Sequence, residues 1–128
     1  MVTVMMVEDS SVMQRVWRDM LASIAGLTLT GTYSGAPAAI DGLRRMPPDI
    51  VLLDVWLDEG SGIDVLRVLA AEQPAAKVIV VTTENDAVFR KHYTNAGAHA
   101  FYGKNELDAI HHTLASLANP KSPDAVTG

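Results

Sequence analysis

The chain has 128 residues, of which 48% are hydrophobic, and this is enough to bury the core of one domain. It contains no cysteine, which excludes disulfide bonds, thiolate metal sites and a cysteine nucleophile. The formal net charge of −5 argues against a nucleic-acid interface built on bulk positive charge. No apolar run approaches the roughly 18–20 residues that span a bilayer, and residues 1–7 lack the basic flank of a signal peptide. We therefore expect a cytoplasmic domain that neither enters a membrane nor binds nucleic acid directly.

The first strand and helix are predicted from the pattern of apolar residues. Val2–Val7 is a short apolar run typical of a strand. Ser11 and Gln14 then have the spacing of a capping box, and Gly26 is predicted to end the helix. Between them, apolar residues recur at intervals typical of one buried helical face: Val12, Met13, Val16, Trp17, Met20, Leu21 and Ile24.

The same alternation of strand and helix continues to residue 118. The later strands are predicted at Leu27–Tyr33, Asp49–Leu53, Val78–Val81 and Ala98–Tyr102, the first of these nearer a sheet edge. The later helices are predicted at Ala36–Arg45, Ile63–Ala71 and Asp86–Asn95, and a last one is marked by Leu107, Ile110, Leu114 and Leu117. Residues 119–128 are polar with two prolines. We expect one domain over residues 1–118, followed by a flexible tail or the start of a linker.

Five repeats of a strand followed by a helix predict the fold class. Strands that are apolar throughout belong to parallel sheets that are covered on both faces. Right-handed crossovers then produce a doubly wound α/β domain with a five-stranded parallel sheet and five helices. In this architecture ligands bind beyond the carboxyl ends of the strands, so the residues directly after each strand are the candidates for a site.

Polar side chains suited to metal and phosphate chemistry follow four of the predicted strands. They are Glu8 and Asp9, Asp54, Thr82 and Thr83, and Lys104. Each alone is ordinary, as a helix cap, a turn residue, a strand residue or a surface charge. Their combination at four strand ends is much harder to obtain by chance.

The chemistry of this set favours a divalent cation and phosphoryl transfer. Carboxylates packed together stay ionised only when a cation neutralises them, and a few oxygen ligands suit Mg²⁺ better than Ca²⁺. A lysine ammonium and a threonine hydroxyl opposite the metal can stabilise a phosphoryl group in transfer. The carboxylate nearest both the metal and the lysine is a candidate nucleophile that forms an acyl phosphate.

Several other kinds of site are not indicated by the sequence. It has no Gly-x-Gly-x-x-Gly fingerprint after the first strand, no Walker A loop and no Gly-x-Ser-x-Gly nucleophile elbow. The four histidines lack a metal-binding spacing connected to the acidic residues, and His111 and His112 point about 100° apart on a helix. We expect all four to face solvent or a partner.

At these positions the chain resembles the receiver domain of two-component response regulators, over about residues 1–118. The matching positions agree in order and spacing: Glu8, Asp9, Asp54, Gly62, Thr82, Gly97, Ala98, Phe101 and Lys104. The resemblance implies a flavodoxin-like sheet with strand order 2-1-3-4-5. It also implies a signalling switch that catalyses only its own phosphorylation and dephosphorylation.

The resemblance implies a role for each acidic position. Asp54 would accept a phosphoryl group from the phosphohistidine of a sensor histidine kinase or a histidine phosphotransfer protein. Asp9, Asp54 and the backbone carbonyl of Trp56 would bind Mg²⁺, and Glu8 would hold the ion through water. The partner downstream would be a protein target or a C-terminal effector domain, and phosphorylation-driven homodimerisation is left open.

The resemblance also implies how the signal leaves the site. Thr82 and Lys104 would each bind a phosphoryl oxygen. Phe101 would turn inward as Thr82 moves, and the surface of the fourth helix, fifth strand and fifth helix would change with it. The alternative for Phe101 is an ordinary core residue of its strand.

Some residues depart from the family pattern. Asn105 follows Lys104 at a position where proline is common in the family, so no cis peptide is expected there. Asp58, after the phosphorylation site Asp54, also stands where proline is common. Thr83 replaces a smaller residue and narrows access to the phosphoryl group. Trp56 and Glu84 would flank the site and tune the phosphoryl lifetime, although Trp56 could instead belong to a partner-binding patch.

Two alternative functions remain at this stage. A pseudo-receiver would use the fold as a protein-binding module without phosphorylation. An aspartyl-phosphate hydrolase acting on external substrates would need a second aspartate two residues after the nucleophile, where this chain has Trp56.

Overall fold

The computed structural model describes residues 1–83 and 87–119 and contains five strands and five helices in strict alternation. The elements in chain order are β1 (Val2–Val7), α1 (Ser11–Ala22), β2 (Leu27–Tyr33), α2 (Ala36–Arg45), β3 (Ile50–Leu53), α3 (Gly62–Glu72), β4 (Lys77–Thr82), α4 (Ala87–Asn95), β5 (Ala100–Gly103) and α5 (Leu107–Ala118). The strands form one parallel sheet in the order β2-β1-β3-β4-β5. The predicted doubly wound fold and its strand order are confirmed.

The sheet is buried on both faces because its strands alternate between two apolar layers. In β1, Val4 and Met6 face the layer beneath α1 and α5, whereas Met5 and Val7 face the layer beneath α2, α3 and α4. All four residues of β3 (Ile50–Leu53) are almost completely buried. Continuous apolar runs are therefore strands whose every side chain meets a helix layer.

The start and end of α1 differ from the prediction. The N-cap is Ser10, whose hydroxyl accepts a hydrogen bond from the backbone N–H of Met13, so the capping box predicted at Ser11 and Gln14 is wrong. The Gln14 side-chain amide instead donates to the Glu8 carbonyl at 2.6 Å. The helix ends at Ala22, before Gly26 is reached.

The buried face of α1 is narrower than predicted. Trp17 and Leu21 are buried, whereas Val12 is 71% exposed. Val12 lies one position away from the stripe that Met13, Trp17 and Leu21 form at intervals of four, so its side chain points away from the sheet. Ile24 is buried, but in the turn that follows the helix.

The remaining differences are shifts of one or two residues at element ends. β3 begins at Ile50 and not at Asp49, whose carboxylate accepts a hydrogen bond from the Thr3 backbone at 2.8 Å. β5 begins at Ala100 and not at Ala98. α4 begins at Ala87, and its predicted first residue Asp86 lies outside the described residues, as does the predicted tail from residue 120 onward.

Candidate functional site

The predicted site residues meet at the carboxyl edge of the sheet. Glu8 and Asp9 follow β1, Asp54 follows β3, Thr82 ends β4 and Lys104 follows β5. Parallel strands bring these ends to one side of the domain, and the strand order reverses direction between β1 and β3, the position at which folds of this kind bind ligands. A cleft of about 400 Å³ lies beside them, lined by Thr82, Thr83, Gly103, Lys104 and Asn105.

The Asp54 carboxylate is held on both oxygens. It is 2% exposed. The backbone N–H of Val55 donates to Oδ1 at 2.7 Å, and the Lys104 ammonium donates to Oδ2 at 3.1 Å. Gly62, the first residue of α3, lies so close that a Cβ there would collide with the Asp54 carbonyl oxygen. Local backbone geometry therefore orients this side chain before any ligand arrives.

Lys104 joins two carboxylates from different strands. Its Nζ lies 2.7 Å from Glu8 Oε1 and 3.1 Å from Asp54 Oδ2. Burial alone would lower the pKa of Lys104, but hydrogen bonds and charges from Glu8 and Asp54 outweigh it, and the net effect raises that pKa. The ammonium therefore stays charged. The backbone N–H of Lys104 donates to the Thr82 carbonyl at 3.1 Å.

Glu8 is an ionisable group on the inner side of the site. Its side chain is fully buried. Burial, followed by the interaction with the nearby Asp54 carboxylate, raises the pKa of Glu8 to about 8 despite the opposing effect of Lys104. Apart from the Lys104 ammonium, its Oε1 atom has no hydrogen-bond partner among the described residues. The Glu8 carboxyl group therefore needs a further positive partner to be ionised at neutral pH.

The acidic residues fit a divalent cation. One carboxylate oxygen from each of Glu8, Asp9 and Asp54 lies within 4.8 Å of the other two, and Asp9 is exposed, which leaves the cluster open to solvent. Three carboxylates face one ammonium, so two negative charges remain when all are ionised. A hard ion with oxygen ligands, such as Mg²⁺, matches both this charge and these donors.

The family of the chain follows from a comparison with known sequences. The sequence pattern of the response regulator receiver domain matches residues 4–115. The chain belongs to this family. Curated relatives of the receiver domain include the DNA-binding transcriptional activator EvgA of Escherichia coli strain K12, 36% identical over 85 residues. The response regulator GacA of Pseudomonas aeruginosa is 32% identical over 104 residues.

These relatives are longer proteins than the chain. The EvgA match covers 66% of this chain and 41% of EvgA, and the GacA match covers 81% of this chain and 49% of GacA. The chain therefore spans less than half the length of the curated relatives it matches.

Solved structures show the same fold. A LuxR-family two-component response regulator from an Aurantimonas species superposes with a TM-score of 0.84 at 22% identity, covering 98% of this chain and 92% of that one. The signal receiver domain of a Luxo repressor protein from Vibrio parahaemolyticus gives 0.84 at 23% identity, covering 99% and 98%. At these identities the likeness establishes the fold of the receiver domain.

The residues predicted to surround the acceptor are found in different environments. Trp56 is 54% exposed and Thr83 is exposed, whereas Glu84 lies outside the described residues. Phe101 is only 4% exposed, so its ring is already inside the receiver domain. The switching role of Phe101 and the metal-binding role of the Trp56 carbonyl stay predictions.

Sequence reasoning missed the aromatic residues of α4. The Phe89 ring packs 6.2 Å from the Trp56 ring and stacks on Tyr93 at 5.5 Å, and Tyr93 lies 6.1 Å from Phe101. The Arg90 guanidinium covers the Phe101 ring at 5.2 Å and donates to its carbonyl at 3.0 Å. The signal in the sequence was the spacing of four between Phe89 and Tyr93, which places both rings on one helical face.

None of the helices within residues 1–83 and 87–119 of the receiver domain combines the length and the hydropathy that a membrane-spanning segment needs.

Proposed function

We propose that the receiver domain is the phosphoacceptor switch of a two-component phosphorelay and that Asp54 is the acceptor. The observation that carries the proposal is the position of the Asp54 carboxylate. It is buried, bound to the Lys104 ammonium and grouped with the carboxylates of Glu8 and Asp9. A single carboxylate with a cation on one side and an acidic metal-binding group on the other is suited to receive a phosphoryl group.

The reaction would begin with a phosphohistidine donor in the cleft. An oxygen of the Asp54 carboxylate attacks the phosphorus atom, an O–P bond forms, and the N–P bond to the donor imidazole breaks with its electron pair staying on that nitrogen. The Lys104 ammonium and the Thr82 hydroxyl bind oxygens of the transferring group. Because the Val55 N–H orients the carboxylate in advance, little reorganisation is needed at this step.

Mg²⁺ would be held by Asp9, Asp54 and the Trp56 carbonyl, with Glu8 acting through water. When bound, the ion would supply positive charge that stabilises a phosphoryl group in transfer. The residues of the chain have a separate task, which is to keep the carboxylates close together. Lys104 does this by pairing with both Glu8 and Asp54.

Phosphorylation would act through Lys104 and Thr82. The new group adds a charge of about −1.5 to −2 and three acceptor oxygens at Asp54, so the ammonium gains a stronger partner than the carboxylate it now binds. Thr82 ends β4 and pairs in register with Gly103 of β5. Movement of Thr82 towards the phosphoryl group would therefore reach the surface formed by α4, β5 and α5, which we propose as the output surface.

The partners belong to the same proposal. The donor would be a sensor histidine kinase or a histidine phosphotransfer protein, and the recipient a protein target or an effector domain joined at the C-terminus. The domain would work in the cytoplasm and catalyse only its own phosphorylation and dephosphorylation. EvgA is named a DNA-binding activator, which supports an effector in such relatives.

The test is phosphorylation of the purified protein by acetyl phosphate with and without Mg²⁺, followed by intact mass. We expect the mass of one phosphoryl group to be added only with Mg²⁺, and Asp54→Asn to abolish it. Asp58→Asn is the matched control, because it makes the same chemical change at an exposed position four residues away. An unlabelled wild-type protein would contradict the proposal and favour the pseudo-receiver alternative, whereas a labelled Asp54→Asn variant would assign the acceptor elsewhere.

A further inference from the structure

Residues 55–63, the segment that follows the acceptor Asp54, are held from two sides. Internally it is closed by a bridge between Trp56 and Ser61 and by the Gly62 N–H donating to the Val55 carbonyl at 2.9 Å. On the side of α2, its backbone pairs with the loop after β2, through Asp58 N–H to the Ser34 carbonyl at 3.1 Å.

On the other side, the segment meets the side chains of α4. The Phe89 ring lies against Trp56 and stacks almost parallel on Tyr93, with 14° between the ring planes. Tyr93 is 2% exposed, and its hydroxyl lies near the backbone of Ile63. Ile63 is in the first turn of α3, where backbone N–H groups have no partner within the helix. Two side chains of α4 therefore hold the segment, with Phe89 near its start and Tyr93 near its end.

The position of this segment decides the position of the acceptor. The N–H that binds Asp54 Oδ1 belongs to Val55, and the glycine that packs on the Asp54 carbonyl is Gly62. A shift of either end relative to the sheet therefore moves the carboxylate relative to Lys104, which is held separately in the loop after β5. Reactions that depend on alignment lose about 10²-fold in rate for a displacement on the order of 1 Å.

We propose that Phe89 and Tyr93 are positioning residues for phosphoryl transfer, whose ring pair holds residues 55–63 so that the Asp54 carboxylate stays aligned with Lys104. This inference rests on the proposed function. It assigns to α4 a part in the chemistry at the acceptor, in addition to its place in the output surface. Phe89 acts through Trp56, and Tyr93 acts through the start of α3.

A role in alignment can be separated from a role in the core. Trp56 is 54% exposed and Phe89 is half-buried against the core, so Phe89→Leu keeps an apolar side chain in the core and removes the ring that contacts Trp56. Tyr93→Phe removes one hydroxyl and leaves the ring stack in place. Tyr102→Phe is the matched control, because it also removes one tyrosine hydroxyl, which bonds to Thr113 Oγ1 at 2.6 Å between β5 and α5.

The experiment measures the initial rate of phosphorylation at increasing acetyl phosphate and saturating Mg²⁺. We expect Tyr93→Phe and Phe89→Leu to lower the maximal rate at least about threefold, within the range that misalignment causes, with half-saturating acetyl phosphate unchanged. Phe89→Tyr, which keeps the ring, should restore most of the rate. Iodide should quench the fluorescence of Trp56 more strongly in Phe89→Leu than in the wild type.

Each outcome decides between the two proposals. If the wild type is not phosphorylated, the proposed function fails and this inference fails with it. If the wild type is phosphorylated and Tyr93→Phe reacts at the same maximal rate, the proposed function stands and the positioning role is overturned. A rate loss of equal size in Tyr102→Phe also overturns it, because the effect would then follow from general loss of stability. Tyr93→Phe keeps the test valid even if Phe89→Leu does not fold.

Discussion

Removal of the Glu8 charge should change how Mg²⁺ binding depends on pH. Burial and the nearby Asp54 carboxylate raise the pKa of Glu8 from 4.5 to about 8, so this side chain is mostly protonated at pH 7 without metal. A divalent cation within the cluster favours the ionised form, because a Glu8 oxygen lies within 4.8 Å of the other two carboxylate groups. Binding of the ion should therefore release close to one proton.

The size of the pH effect on Mg²⁺ affinity follows from the number of protons released. Below pH 8, the apparent affinity for Mg²⁺ should rise about tenfold for each pH unit, because one proton is displaced for each ion bound, and it should level off above pH 8. The Glu8→Gln variant keeps the size of the side chain but cannot ionise. Its affinity should depend much less on pH and should be lower than that of the wild type at pH 8.5.

The assay is a Mg²⁺ titration by isothermal calorimetry between pH 6 and pH 8.5, in two buffers that differ in ionisation enthalpy. The difference between the buffers counts the released protons. Asp58→Asn, which changes an exposed carboxylate, should retain the wild-type slope. A wild-type affinity that is constant from pH 6 to pH 8, or an equal slope in Glu8→Gln, would refute the reasoning.

Three further predictions concern stability and can be checked by urea unfolding. In EDTA the free energy of unfolding should fall as pH rises from about 4.5 to 8, because the folded state holds a proton on Glu8 that the unfolded state has lost, and Glu8→Gln should remove this fall. Leu52→Ala, in the fully buried centre of β3, should cost about 2–5 kcal/mol, whereas Val12→Ala at a 71% exposed position should change little. Gly62→Ala should cost about 1–3 kcal/mol and slow phosphorylation, because the added methyl group meets the Asp54 carbonyl; an unchanged midpoint and rate would contradict that close packing.

Much of the fold could be predicted because its signals are local. Continuous apolar runs indicated strands buried on both faces, and α2 begins and ends at the predicted residues Ala36 and Arg45. The start of α1 could not be predicted as well. Ser10 and Ser11 are both suitable caps, and the choice depends on where β1 stops and on the backbone angles of the turn.

The sequence alone was sufficient to predict which residues of the candidate site lie close together, because parallel strands place the residues that follow them at one edge of the sheet. That rule predicted the grouping of Glu8, Asp9, Asp54 and Lys104 from three separate stretches of chain. The environment of each residue was decided by the tertiary structure. Glu8 and Asp9 are adjacent carboxylates, yet the first is fully buried and the second is exposed.

The same distinction separates the aromatic residues. Trp17 is completely buried and Trp56 is half exposed. The contacts of Phe89 with Trp56 and of Tyr93 with Phe101 arise only when α4 packs on the rest of the fold. The physical reason is that periodicity along the chain determines which residues share a face. Burial, pKa and alignment depend on the atoms that other elements bring to that face, and no local pattern contains them.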